Sequence, residues 1–315
     1  MKYQVSLSLI LMVILLTLQA ARSNEGIYGE DDRLEIENVA DIKTQGMARA
    51  TAAMIPLLRL SESLLDSDRT KISTTTLADT FGSSTPLCPG EPFANLPKAA
   101  LCTGFLIKDN LLVTAGHCIR TELDCAEQAW VFDFNGATLA QTSERSVPSE
   151  NVFTCKKIVR QVLERGSWYE EGNMDYAVIE LNHKVRNRNP LKIRQSGSIQ
   201  VGTPLVAIGH PSGLPTMITT GFVRDISQPE YFQTNLDTYG GNSGSPVINS
   251  LTGVVEGILV RGGDDYELNS KDHCVANVRS AENGGPGESV TRITAISDLV
   301  SKSRRGTRFR IRSTR

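Results

Sequence analysis

"TYGGNSGSP", residues 238–246, surrounds one serine, Ser243, with Gly240, Gly241 and Gly244, and leads into a short β-type run, "SPVIN". A turn needs one glycine. Three around a single hydroxyl point to a second task. A serine hydroxyl is a poor nucleophile at neutral pH because its proton must leave as it attacks. It needs an imidazole base, and the base needs a carboxylate to hold its tautomer. It also needs backbone N–H donors that side chains do not obstruct. On this reading Gly241 and Ser243 form an oxyanion hole, and Ser243 is the candidate nucleophile.

The sequence on either side of this stretch sets the fold class. From Ala99 onward, short β-type runs alternate with Gly/Pro turn signals: "ALCTGFLI", "NLLVTAGH", "AWVFDF", "VFTCKKIVRQV", "DYAVIEL", "PLVAIGH", "MITTGFVRDI", "YFQTNL", "SPVIN", "GVVEGILV" and "SVTRI". Many short strands and few helical stretches indicate an all-β barrel or sandwich. Strand count and length suit two six-stranded antiparallel barrels, with a C-terminal helix around 294–303. No internal repeat is visible. Ahead of the strands, Met47 to Leu65 spaces Ala, Met, Leu and Ile as a helix would, and 73–93 is rich in Ser, Thr, Gly and Pro and reads as loop. Residues 23–97 are therefore expected to drape over the core, or to serve in part as a propeptide. Residues 98–303 are expected to be the domain that carries the chemistry.

The ends of the chain bear on location. The first residues place Lys2 before an almost wholly apolar run from Val5 to Leu18, followed by Ala20, Ala21 and Ser23. This is the pattern of a secretory signal peptide over 1–22, too short for a comfortable membrane span. A secreted chain, extracellular or periplasmic, is expected, with no stable membrane insertion after signal removal. Residues 304–315 form a basic tail, expected to be solvated. The net charge of −2 implies no nucleic-acid partner. Six cysteines in an exported chain suggest three disulfides. No CxxC pair or zinc-ligand spacing occurs. Asp264, Asp265 and Glu267 could approach calcium, but loop acids are usually just solvated, so no metal and no cofactor are expected.

Two further residues complete the constellation around Ser243. His117 ends the apolar run "LLVTAGHCI", where a barrel strand would open into a cleft. Asp175 opens the apolar strand "DYAVIEL". A carboxylate there is at least partly buried, and burial is costly without a partner such as an imidazole N–H. Each signal alone is weak, but the order His, Asp, Ser is specific. His210 lies in the turn-rich "GHPSGLP", and His183 and His273 read as surface loop residues.

The chain resembles the chymotrypsin-like serine proteases, and among them the bacterial glutamyl-endopeptidase branch. "TAGHC", "DYAVIEL" and "GGNSGSPV" are similar to that family's three catalytic motifs, and "IYGEDDRLEI" to the mature N-terminus of the branch. The resemblance covers roughly residues 99–300. It implies a trypsin-like serine endopeptidase, a hydrolase of protein or peptide substrates, with His117, Asp175 and Ser243 as the triad. It also implies a Cys102–Cys118 disulfide. The other four cysteines allow three pairings, of which Cys125–Cys155 with Cys88–Cys274 is preferred. A catalytically inactive peptide-binding homologue is the alternative, and the intact triad argues against it.

Departures from the family bear on activation and specificity. Animal members carry an aspartate before the serine that pairs with the new N-terminal amine. Asn242 has no such charge, as in the bacterial branch. If the chain is cut before Ile27, the resemblance puts the new amine near the specificity pocket. That pocket is expected between 237–241 and 258–263. Asp237 stands where trypsin-like enzymes hold the acid that binds Arg or Lys. Thr238 matches a hydroxyl of the glutamate-specific enzymes. Leu259 stands where those enzymes have a histidine, and Arg261 is a nearby cation. Together these leave the cleaved residue open.

Overall fold

The structure, a computed structural model, describes residues 26–164 and 174–301. The expected signal peptide and basic tail lie outside the described residues.

The eleven β-type runs all become strands, and a twelfth comes from residues that read as helix. The first six are β1 (Thr51–Pro56), β2 (Cys102–Lys108), β3 (Leu111–Thr114), β4 (Gln128–Phe132), β5 (Val152–Leu163) and β6 (Asp175–Leu181). They close into a barrel in the order β1-β2-β3-β6-β5-β4, with β4 returning to pair with β1 from Gln128↔Pro56 to Phe132↔Ala52. The second six are β7 (Pro204–Gly209), β8 (Met217–Asp225), β9 (Tyr231–Thr234), β10 (Pro246–Asn249), β11 (Val254–Arg261) and β12 (Glu288–Arg292). They pair as β7-β8-β9-β12-β11-β10, closing antiparallel between β7 and both β8 and β10. The two barrels share one topology although the sequence shows no repeat. A 3₁₀ turn and the helix Ser297–Ser301 follow β12.

β1 corrects the expectation of a helix over 47–65. A helix does form just upstream, Ile42–Ala48, capped by Asp41, whose carboxylate accepts from the N–H groups of Lys43 and Thr44. The chain then extends. Ala52 and Met54 join the apolar cluster containing Trp130 and Phe132, while Ala53 and Ile55 join another with Val131, Phe134 and Val147. Both faces of β1 are buried, so polar alternation is missing, and Ala and Met read as helix formers. The segment 23–97 thus does not merely drape over the core. It supplies a barrel strand, and the expected boundary at 97/98 runs through the first barrel.

A third apolar cluster, with Leu205, Val223, Phe232, Val247, Leu259 and Val290, fills the second barrel. The larger cluster bridges the two barrels, taking Phe105 and Leu112 from one and Ile208, Ile248 and Ile258 from the other. Three disulfides are present: Cys102–Cys118, Cys125–Cys155 and Cys88–Cys274. The first ties β2 to the corner that carries His117. The last ties the 73–93 loop to the hairpin formed by Tyr266–Asn269 and Cys274–Asn277.

Candidate active site

His117 follows β3 through a tight corner. Gly116 is required there, because a Cβ at that position would strike the Val162 carbonyl and the Tyr176 backbone. The corner is pressed against the start of β6, where Asp175 sits 3% exposed. Its carboxylate takes both groups that His117 offers. Oδ1 accepts the His117 backbone N–H at 3.0 Å, and Oδ2 lies 2.8 Å from Nδ1. The ring is held through Nδ1, which leaves Nε2 for chemistry at the cleft.

Ser243 arrives from the second barrel, in the loop that leads into β10. The Thr103 N–H donates to the Ser243 carbonyl at 2.8 Å, and Cys118 Sγ lies 3.8 Å from the same oxygen. The serine is thereby set beside the His117–Cys118 corner. Thr103 does more. Its hydroxyl donates to the Gly241 carbonyl at 2.8 Å and accepts from the His210 N–H at 3.2 Å. This fully buried threonine of "LCTGF" fastens the serine loop to the first barrel.

The glycines of the opening stretch have a conformational reason as well as a steric one. Gly241 has φ +100° and Gly244 has φ +90°, a region that L side chains rarely adopt. A Cβ on Gly241 would meet the His210 carbonyl and the Gly213 amide. One on Gly244 would meet the Thr103 carbonyl. The crowding atoms are therefore the protein's own backbone. From Gly240 to Ser245 the amides divide into two sets. Those of Gly240, Asn242, Gly244 and Ser245 donate to Asp265, Tyr239, Leu259 and Asn242, respectively. Among the described residues, the amides of Gly241 and Ser243 have no acceptor.

Beside Ser243 opens a pocket of about 270 Å³, walled by 238–240 on one side and 259–263 on the other. Thr238, Leu259 and Arg261 line it, and so do Asp265 and Glu288. Asp237 does not. Its carboxylate faces the N-terminal segment, where Oδ1 accepts the Tyr28 N–H at 2.7 Å and Oδ2 the Asp32 N–H at 3.2 Å. The expectation of Asp237 on the pocket wall is thus corrected. Two main-chain donors from the far end of the chain claim the carboxylate. Burial still dominates its titration and pushes its pKa up to about 7, against those donors. The segment that claims it is itself fixed: Ile27 is fully buried and donates to the Val278 carbonyl at 3.0 Å.

Glu288 is the residue that sequence reading missed. It sits 2% exposed on β12, in a stretch that reads only as a final strand. The Thr238 hydroxyl donates to Oε2. Asp265, weighed above for calcium, instead accepts the Gly240 N–H at 2.7 Å, and burial raises its pKa to about 6. His210 is fully buried against Phe134, with Nδ1 3.1 Å from the Leu214 carbonyl. Desolvation lowers its pKa to about 4, so it is neutral at physiological pH. His183 stacks on Phe153.

Metal-ligand proximity occurs, among the described residues, at Cys102, His117 and Cys118. The two sulfurs are joined to each other, so this set offers no thiolate, and His117 Nδ1 is already on Asp175. The donor set does not fit a metal.

Residues 102–258 match the family model described as a trypsin-like peptidase domain. Among curated proteins, an extracellular metalloprotease of Bacillus subtilis is 26% identical over 69% of this chain and 68% of its own length. A glutamyl endopeptidase of Bacillus licheniformis is 32% identical over 47% of this chain, and the chain spans only 44% of that relative. A solved structure of a Glu endopeptidase in complex with MPD aligns with a TM-score of 0.49 at 16% identity, covering 88% of this chain and 98% of that one. With its two like barrels and its match to the peptidase model, the chain carries a trypsin-like peptidase domain over residues 102–258.

Proposed function

We propose that this chain is a secreted serine endopeptidase that cleaves protein or peptide substrates through an acyl-enzyme. Ser243 attacks the scissile carbonyl. His117 takes the serine proton through Nε2 and returns it to the leaving amine. Asp175 holds the imidazole and stabilises its charged form. The Gly241 and Ser243 N–H groups receive the oxyanion. The observation that carries this reading is the pair of acceptor-free amides on either side of Asn242, interleaved with the bonded amides of Gly240, Asn242 and Gly244, next to a histidine clamped twice by a buried carboxylate.

The substrate backbone adds as a strand along 260–262, just past Leu259. The ladder between β11 and β10 ends at Ile258↔Pro246, Leu259 then bonds the serine loop through both its N–H (to Ser245) and its carbonyl (from Gly244), and the stretch beyond it, 260–262, runs along the pocket wall. Export through the signal at 1–22 is followed by a cut shortly before Ile27. A cut beyond Pro56 would remove β1 from its barrel. N-terminal sequencing of the secreted protein checks this, and a start near Cys88 would overturn it.

A fluorophosphonate probe tests the enzyme reading. Wild type should be labelled at Ser243, and labelling should vanish in Ser243→Ala. A folded wild type that is not labelled would favour the alternative, a peptide-binding homologue without activity.

A further inference from the structure

The pocket beside Ser243 has an acidic interior, and the acid is not the one the sequence suggested. Glu288 precedes Val290 by two residues on β12, so the two side chains share one face of the strand. Val290 lies in the core of the second barrel. Glu288 therefore projects from the end of that core into the pocket, where it is 2% exposed. Its position is enforced from two sides. The Thr238 hydroxyl on one wall donates to Oε2. On the other wall, a Cβ at Gly262 would overlap both carboxylate oxygens, so the absence of a side chain at 262 gives the carboxylate its place. Asp265 adds a second carboxylate to the lining, held by the Gly240 amide. Arg261 also lines the pocket, and its guanidinium lies over the Tyr231 ring, 5.6 Å from the centroid.

We infer that Glu288 sets the specificity of this pocket, which receives the cationic side chain of a lysine or arginine on the acyl side of the cleaved bond. The inference rests on the reading of Ser243 as the nucleophile. In a low-dielectric pocket, a carboxylate favours an incoming ammonium or guanidinium through a charge-assisted hydrogen bond. It disfavours a glutamate side chain by like-charge repulsion and desolvation. The pocket thus departs from what Glu endopeptidase relatives suggest by name, even though Thr238 keeps the hydroxyl that resembles theirs. Here that hydroxyl is spent on Glu288.

The test is a cleavage profile of the mature wild-type enzyme on peptides that differ only at the residue before the scissile bond. Lys or Arg should exceed Gln and Glu by at least about tenfold in kcat/KM. The ratio of Lys to Gln should then fall by about tenfold or more in Glu288→Gln, because the charge is lost while the shape is kept. Preference for Glu in wild type would overturn the proposal and assign the pocket to Arg261. So would a preference for neutral side chains, or a Lys/Gln ratio that the substitution leaves unchanged. Should Glu288→Gln fail to fold, the wild-type profile decides alone. Wild type that takes the fluorophosphonate label but cleaves after Glu would refute the inference and leave the enzyme reading intact. Absence of labelling would refute the enzyme reading itself.

Discussion

Thr103 shows how single side chains tune this site. Its hydroxyl serves Gly241 and His210 at once, with no solvent to replace either partner. Thr103→Val keeps the shape and leaves a buried carbonyl and a buried N–H unsatisfied, which costs about 1–3 kcal/mol for each group. Thermal melts should drop accordingly, and Thr103→Ser should recover most of the loss. Asp175→Asn keeps the size of the side chain but loses the charge that fixes the imidazole. Peptide hydrolysis should fall by roughly 10³–10⁴-fold with the fold retained, as circular dichroism would show. Asp237 predicts a pH dependence. Its folded pKa, about 7, lies above the ordinary 3.8. The folded state therefore holds that proton more tightly, and the associated stability is full below about pH 4 and lost as pH rises through about 7. Asp237→Asn removes this effect. Its melting temperature should gain on wild type between about pH 4 and about pH 8, and a constant offset across that range would refute the assignment.

At the scale of elements, β1 is the least obvious and most constrained strand. Ala52 and Ala53 point into different clusters and are both fully buried. Ala53→Leu has no room on its side and should destabilise the first barrel by about 1–3 kcal/mol. Urea denaturation would measure this as a lower midpoint with an unchanged slope. The other eleven strands were legible because they carry β-branched and aromatic residues between turn signals. β1 was not, because full burial removes the alternation on which that reading depends. The Ile42–Ala48 helix, by contrast, is local: Asp41 caps its first turn.

The molecule as a whole is two like barrels joined by a shared apolar cluster and by the Thr103 contacts. Its N-terminal part is not separable from the rest. β1 closes the first barrel, and Tyr28 and Asp32 brace the loop that carries Ser243 through Asp237. A chain beginning at residue 98 should therefore fail to fold and be recovered as an insoluble or protease-sensitive product. The same chain beginning at residue 26 should be soluble and take the fluorophosphonate label. A folded, labelled product from residue 98 would show that the barrel can close without β1.

By itself the sequence determined the residue types and order of the candidate site, since His117, Asp175 and Ser243 each sit in a short motif with its own local pattern. It also determined most of the strands, because side-chain alternation and turn residues act over a few positions. Only the tertiary structure decided which acid faces the pocket. Asp237 stands next to Thr238 and close to the serine motif in sequence, yet its carboxylate belongs to the amides of Tyr28 and Asp32. Glu288, far along the chain in a strand with no motif of its own, fills the place beside Thr238 and Gly262. Burial and main-chain hydrogen bonding between distant segments settle where a charge points, and no local pattern carries that information.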